Sequence, residues 1–365
     1  MNVLQVFKGS IHGGVSRHVA ELAQGLIDRG HDTRHAGQRL NDHDRYAALE
    51  PQWIEAPLDG GPAALFRSIT TIDRALGSFR PDIIHAHHRK AALVGRRLAK
   101  RYRCPLIFTL HLTGIPTSGP RRWLSDLGDR TLAVSAQAKQ WLIDEMRLAP
   151  GRIDVVPNGY DPAAFPQATA QDRAAARASL NLTPDQPVVA YVGRLEPPKN
   201  EAWLADLTAA AHAAGLHAVA LIQGSGPGQA TLTARAEQLA VPDAVRFVPY
   251  GDPRTVYAAA DLFALPSAHE GFSLVCLEAM ATGTPVLRTR TAGTEEMIVE
   301  HTTGRAVPID RDAFVAAGVE MLADRPALRR MGDAAAQHAR THLTLDRQVD
   351  RTLAVYRAAA GEAAP

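Results

Sequence analysis

His269-Glu270-Gly271-Phe272-Ser273-Leu274-Val275-Cys276-Leu277-Glu278-Ala279-Met280-Ala281-Thr282-Gly283-Thr284-Pro285-Val286 is the stretch whose reading decides the fold. It reads as loop, helix, turn and strand. Helix formers run from Leu274 to Ala281, Gly283 suits a C-terminal cap, and Pro285 blocks continuation. Glu270 stands at the mouth of the helix and Glu278 eight residues on. At about 1.5 Å of rise per residue that is roughly 12 Å along the axis. The span equals that from a sugar, across a diphosphate, to a ribose. The backbone N–H groups of Gly271, Phe272, Ser273 and Leu274 open the helix and suit phosphate oxygens. An ordinary amphipathic helix with two solvated glutamates has the same spacing, so the flanks must decide.

The chain has 365 residues, enough for two domains, and 46% of them are hydrophobic. A net charge of +2 argues against a dedicated nucleic-acid binder. Cys104 and Cys276 have neither metal-ligand nor disulfide-framework spacing, which fits a reducing cytoplasm. Met1 to Phe7 reads as a strand without a basic leader, so no signal peptide is expected. No apolar run approaches the ~18 residues that a membrane span needs.

Two strand–loop–helix series occupy the chain. The first begins with the strand Val3 to Phe7, the glycine turn Gly13-Gly14 and a helix over about 16–29. Gly13-Gly14 permits close backbone approach to a ligand, but it is not a dinucleotide fingerprint. The polar stretch over about 41–61 has no clear pattern, and a helix follows over about 63–79. Pro81-Asp82-Ile83-Ile84-His85-Ala86-His87-His88 is a buried strand running into histidines. His85 and His87 alternate with period two and no carboxylate or cysteine follows at ligand spacing, so no metal is expected there. Arg89 to Arg103 carries seven basic residues and no acidic one, interleaved with Leu93, Val94 and Leu98. Such a helix is either a solvated face or a surface for anionic lipid headgroups or a phosphorylated, lipid-linked acceptor. Arg121-Arg122-Trp123 adds charge and an interfacial aromatic. Pro105 to His111 is the next strand, followed by a Gly/Pro loop with the character of a mobile acceptor loop. A strand over 131–135 and a helix over 136–147 complete the series.

Ile153 to Pro162 is a strand, a turn and a proline exit, with a linker expected over about 160–180. The second series opens with the strand Val188 to Val192. Gly193-Arg194-Leu195-Glu196-Pro197-Pro198-Lys199-Asn200 follows at its carboxyl end, where open α/β sheets bind ligands. Arg194 and Lys199 can both reach a diphosphate, and two such cations neutralise charge on a leaving phosphate without a metal. Gln223-Gly224-Ser225-Gly226-Pro227 is a further turn, read as partly structural. Arg246-Phe247-Val248 ends a strand. Arg290 to Glu296 reads as a loop and helix start, and helices are expected over 311–323, 326–343 and 345–360.

The phrase from Glu270 to Glu278 resembles the E-x7-E motif of the retaining glycosyltransferases of family 4, which have the GT-B fold. The flanking Ala260-Asp261-Leu262-Phe263-Ala264-Leu265-Pro266-Ser267 and Gly283-Thr284-Pro285-Val286 are similar to that family as well. So are Gly193 to Asn200, beside G-R-L-x-x-x-K-G, and Val156-Pro157-Asn158-Gly159-Tyr160-Asp161, beside V-I-P-N-G-V-D. Asn200 departs from the usual glycine, and Ala292 replaces one of two glycines, which leaves the sugar open.

The resemblance implies an α/β chain of GT-B type, with two Rossmann-like domains facing across a cleft. Residues 1–165 would bind the acceptor and 166–344 the nucleotide sugar, with 345–365 a helix returning to the first domain. It implies that Gly13-Gly14 lie beside the donor diphosphate and that the backbone of Arg246-Phe247-Val248 pairs with the base. Arg194, Lys199 and the N–H groups after Glu270 would hold the phosphates, Glu270 the sugar and Glu278 the ribose. His111 would sit near the transferred sugar and the acceptor.

The expected activity is transfer of a sugar from a nucleoside diphosphate sugar to a hydroxyl, with retention and with neither cofactor nor metal. The expected acceptor is a lipid-linked or envelope glycan, as in polysaccharide or lipopolysaccharide assembly, on the cytoplasmic face of a membrane touched through Arg89 to Arg103. A soluble small acceptor, a GT-B sugar-nucleotide epimerase and a non-catalytic sugar-nucleotide binder are the alternatives. A dehydrogenase is excluded by the missing fingerprint.

Overall fold

A computed structural model describes residues 1–8, 14–37, 52–115, 118 and 125–361. Gly13, the polar stretch over 38–51, most of the loop after Gly114, Arg121-Arg122-Trp123 and the last four residues lie outside the described residues. The chain divides into two compact units, Met1–Asn158 with Leu345–Pro365, and Gly159–Thr344. Each carries one parallel sheet flanked by helices, an α/β architecture.

The first unit contains β1 (Asn2–Phe7), α1 (Gly14–Ile27), β2 (Asp32–Gly37), β3 (Trp53–Glu55), α2 (Pro62–Leu76), β4 (Ile83–Ala86), α3 (Arg89–Tyr102), β5 (Leu106–Leu110), β6 (Arg130–Ala133), α4 (Ala136–Asp144) and β7 (Ile153–Val155). The strand order is β3-β2-β1-β4-β5-β6-β7, every pairing parallel. Parallel strands covered on both faces read as continuous apolar runs, as β1 and β5 do. Ile84 and Ala86 pack to one side with Leu98 and Leu106, and Ile83 to the other with Leu22 and Leu26. The last helix of the chain, Leu345–Ala360, closes that second side through Val349, Leu353 and Tyr356. A Cβ at Gly25 would lie 2.5 Å from a Val349 methyl, so α1 and this helix meet at glycine distance.

The second unit contains α5 (Ala170–Ser179), β8 (Val188–Val192), α6 (Trp203–Ala213), β9 (Val219–Gln223), α7 (Gly228–Gln238), β10 (Val245–Val248), α8 (Arg254–Ala259), β11 (Leu262–Leu265), α9 (Leu274–Thr282), β12 (Val286–Thr289), α10 (Thr294–Met297), β13 (Gly304–Val307), α11 (Arg311–Ala323) and α12 (Arg325–His342). The returning helix Leu345–Ala360 is α13. The strand order is β10-β9-β8-β11-β12-β13, again parallel.

Two expectations need correction. The first unit's own chain stops at Asn158, not near 165: Tyr160 N–H donates to the Leu343 carbonyl, and Phe165 is buried beside Tyr257. The stretch expected to be linker contains α5. Thr169 caps it by accepting from Asp172 N–H, Asp172 accepts from Thr169 N–H in return, and the alanine-rich interior favours helix. Arg173 and Arg177 then anchor it to the buried Asp261 carboxylate at 2.6 and 3.5 Å.

Candidate functional site

The second unit gathers its polar groups at the carboxyl ends of β8 and β11. After β8 the chain turns at Gly193, whose N–H donates to the Gln223 carbonyl, and Leu195 N–H donates to the Ser225 carbonyl. The turn after β9 therefore supports the turn after β8. Lys199 N–H closes a tight bend on the Glu196 carbonyl, and Ala268 N–H donates to the Pro198 carbonyl at 2.7 Å. That bond ties the loop of Lys199 to the loop of Glu270. The Lys199 ammonium lies 2.5 Å from Glu270 Oε1, both side chains mostly buried, at 18% and 11% exposure.

Arg194 is placed differently. Its side chain is 68% exposed and pairs with Glu196 on the same loop. Lys199 and Glu270 thus form a packed pair, and Arg194 stands at the rim.

Gly271, Phe272 and Ser273 are buried and lead into α9, where Ser273 caps the helix by accepting from Cys276 N–H at 3.4 Å. With that N–H capped, those of Leu274 and Val275 point out of the first turn. Gly293, at φ +78°, abuts the same start: a Cβ there would sit 3.0 Å from the Phe272 ring and 3.1 Å from the Gly271 carbonyl. The far end of α9 closes at Gly283, at φ +92°. Glu278 projects from the helix into a buried position, and Tyr257 OH donates to its Oε2 at 2.7 Å.

The remaining predicted donor residues are less concentrated. Gly14 is the exposed first residue of α1, in the other unit, and Gly13 lies outside the described residues. Arg246 turns its guanidinium to the Asp243 and Asn181 carbonyls at 3.3 and 3.4 Å. Phe247 is exposed and Val248 half-buried, on the edge strand β10.

Sequence reasoning missed Arg288. It is fully buried in β12, donates to Thr291 Oγ1 at 2.7 Å and to the Ala292 carbonyl at 3.2 Å, and so braces the loop that carries Gly293. An arginine inside the apolar strand run Val286-Leu287-Arg288-Thr289 was the signal. Burial raises the nearby Cys276 thiol above its usual pKa, partly countered by Arg288. Tyr257 was also missed, because nothing in sequence links it to Glu278.

In the first unit, His111 lies half-buried just beyond β5, with its Nε2 3.2 Å from His87 Nδ1. His85 lies between Tyr356 OH at 2.6 Å and Thr109 Oγ1 at 2.7 Å. The basic helix α3 is less free than its composition suggests. Arg96 pairs with Asp126 and Asp129, and Arg101 with Asp73. No helix among the described residues is long and apolar enough to cross a membrane.

Comparison with known proteins also divides the chain in two, with the change between residues 164 and 172. A family model described as Glycosyltransferase Family 4 matches residues 12–164, and one described as Glycosyl transferases group 1 matches residues 172–338. A D-inositol 3-phosphate glycosyltransferase of Mycolicibacterium gilvum is 35% identical over 71% of this chain, and the match spans 62% of that relative's length. Its counterpart in Mycolicibacterium paratuberculosis is 34% identical over 96% of this chain and 86% of its own. Among solved structures, a glycosyltransferase of Rickettsia africae superposes with a TM-score of 0.85 at 18% identity, covering 99% of both chains. Anabaena HepE in complex with UDP does so with a TM-score of 0.83 at 20% identity, over 97% of this chain and 100% of that one. These likenesses establish the two-domain α/β fold of GT-B glycosyltransferases.

Proposed function

This chain belongs to glycosyltransferase family 4, and from that membership we propose that it moves a sugar from a nucleoside diphosphate sugar to a hydroxyl of a small phosphorylated acceptor. The observation that carries the donor half is the Lys199–Glu270 pair at the open end of α9. A cation suited to phosphate and a carboxylate suited to sugar hydroxyls, beside the N–H groups that open the helix, support this reading. Glu278, buried at the other end of the helix, suits the ribose. Arg194 swings from Glu196 onto the diphosphate when the donor binds. The transfer retains configuration, the departing phosphate takes the acceptor proton, and the cations do the work a divalent metal does elsewhere. His111 orients the sugar or the acceptor.

The acceptor reading moves away from a lipid-linked glycan. Two of the cations on α3 already face aspartates, and the relatives act, by name, on D-inositol 3-phosphate. UDP is the first base to try, since HepE was solved with it.

A thermal-shift screen of UDP-, GDP- and ADP-sugars, followed by transfer assays to inositol phosphate and to a lipid-linked acceptor, tests this. Donor turnover stimulated by the phosphorylated polyol supports the reading. A free epimer formed from donor alone, or donor binding with neither transfer nor hydrolysis, overturns it.

A further inference from the structure

Three imidazoles converge at the carboxyl ends of the first unit's central strands. His18 comes from α1, His87 from just beyond β4 and His111 from just beyond β5. The strand order reverses between β1 and β4, the switch point at which open α/β sheets bind ligands. Period-two alternation puts His87 and His111 on the face that α1 covers, alongside Ile83 and Ile107.

One ring nitrogen of each histidine lies within 4.8 Å of the other two. His87 Nδ1 and His111 Nε2 are 3.2 Å apart. Two nitrogens on a tetrahedral zinc ion, at about 2.05 Å each, stand roughly 3.3 Å from one another. His18 crosses His111 at 79° and His87 at 64°, while the His87 and His111 rings lie nearly parallel, at 27° with centroids 5.4 Å apart.

The surrounding amides decide where the lone pairs point. Gln5 Nε2 donates to the Val19 carbonyl at 3.3 Å, so Gln5 Oε1 faces His87 Nε2, at 2.9 Å. His87 therefore carries its proton on Nε2 and aims the Nδ1 lone pair at His111. Asn158 Oδ1, an acceptor, lies 2.9 Å from His18 Nδ1, and Gln348 Nε2, a donor, lies 3.1 Å from the same nitrogen. In the tautomer that donates from Nδ1 to the shorter contact, Asn158 Oδ1, His18 presents Nε2 as an acceptor, and that atom is buried without a hydrogen-bond partner. The residue is 4% exposed. A metal-binding histidine is held in this manner, its outer nitrogen donating to an amide or carboxylate and its inner one bare.

We infer that His18 Nε2, His87 Nδ1 and His111 Nε2 form a binding site for a divalent transition-metal ion of the zinc class. Imidazole nitrogens in a tetrahedral setting suit zinc and disfavour magnesium or calcium. Water completes the fourth position on the half-buried side of His111. The ion pins α1 to the ends of β4 and β5. Lys199, Arg194 and Glu270 of the other unit are not among its ligands. His85 is not a ligand, because both its nitrogens are engaged.

The test titrates chelator-treated full-length protein with Co2+ and then Zn2+. The expected result is the intense visible absorption of four-coordinate cobalt, saturating at one equivalent and abolished by zinc, with a rise in the thermal midpoint. His18→Asn and His87→Gln should each weaken zinc binding at least about tenfold. Lys199→Ala should bind the ion as wild type does, whatever its turnover. Wild-type protein without those bands and without saturable zinc uptake overturns the site, as does undiminished affinity in both folded histidine variants. If the variants do not fold, the wild-type spectrum decides.

Discussion

The Lys199 ammonium rests 2.5 Å from a Glu270 carboxylate oxygen across 71 residues of sequence. Neither group is well solvated, so removing one leaves the other short of a partner. Lys199→Ala should lower kcat by about a hundredfold to a thousandfold, the scale of one preorganised donor to a developing oxyanion. The circular dichroism spectrum should be unchanged. Steady-state kinetics with wild-type kcat would remove Lys199 from the phosphate clamp.

Arg194 and Glu196 make an exposed pair on one loop, and exposed pairs are worth less than about 1 kcal/mol. If the donor must draw Arg194 off Glu196, then Glu196→Gln should lower the donor KM by up to about fivefold and leave kcat near wild type. A raised KM would mean that Glu196 itself holds the donor or orders the loop.

Tyr257 donates to buried Glu278, and hydrogen bonds to charged groups contribute about 1.5–3 kcal/mol. Tyr257→Phe should cost stability of that order in urea unfolding. It should also raise donor KM more than it lowers kcat, because a ribose contact acts on binding in ground and transition states alike. Equal loss in kcat and kcat/KM would place Glu278 at the reacting centre instead.

Much of this was legible in the residues. Helix α9 and its glycine cap follow from a run of helix formers bounded by Ser273 and Gly283. Strands β1, β4 and β8 are largely apolar runs of four to six residues. What stayed hidden depends on pairs distant in sequence. Lys199 could be assigned to phosphate from its loop, but its contact with Glu270 could not be read. Nor could Arg194's preference for its neighbour Glu196. The histidines after β4 invited a search for ligands along the chain, whereas the cluster draws on α1 and the end of β5. Helix α5 reads as linker in the sequence because its alanines and arginines show no apolar stripe; its anchor, Asp261, is nearly 90 residues away.

That anchor can be tested by itself. Asp261 is 3% exposed and faces Arg173, Arg177 and Arg325. Breaking a buried ion pair from one side costs about 3–5 kcal/mol, since the partner charges stay behind. Asp261→Asn should destabilise the second unit by roughly that amount in chemical denaturation. A loss below about 1 kcal/mol would show that solvent already screens the three guanidiniums.

Acid should weaken the first unit through its histidines. Burial lowers the pKa of His18 to about 4 and of His35 to about 3, and takes His85, His87 and His111 well below the ordinary 6.5. Between the folded and unfolded values the unfolded chain binds more protons, so stability is complete above pH 6.5 and falls as the pH drops toward 4. For His18 alone the loss at pH 5 is about 2 kcal/mol, and the other four add in the same direction. In chelator-treated protein the urea midpoint should therefore fall steeply from pH 7 to pH 5. The slope should be shallower in His18→Asn, which has one fewer buried ring to protonate. Equal midpoints at the two pH values would mean that these rings are charged or solvated in the folded chain, and the neutral cluster would have to be abandoned.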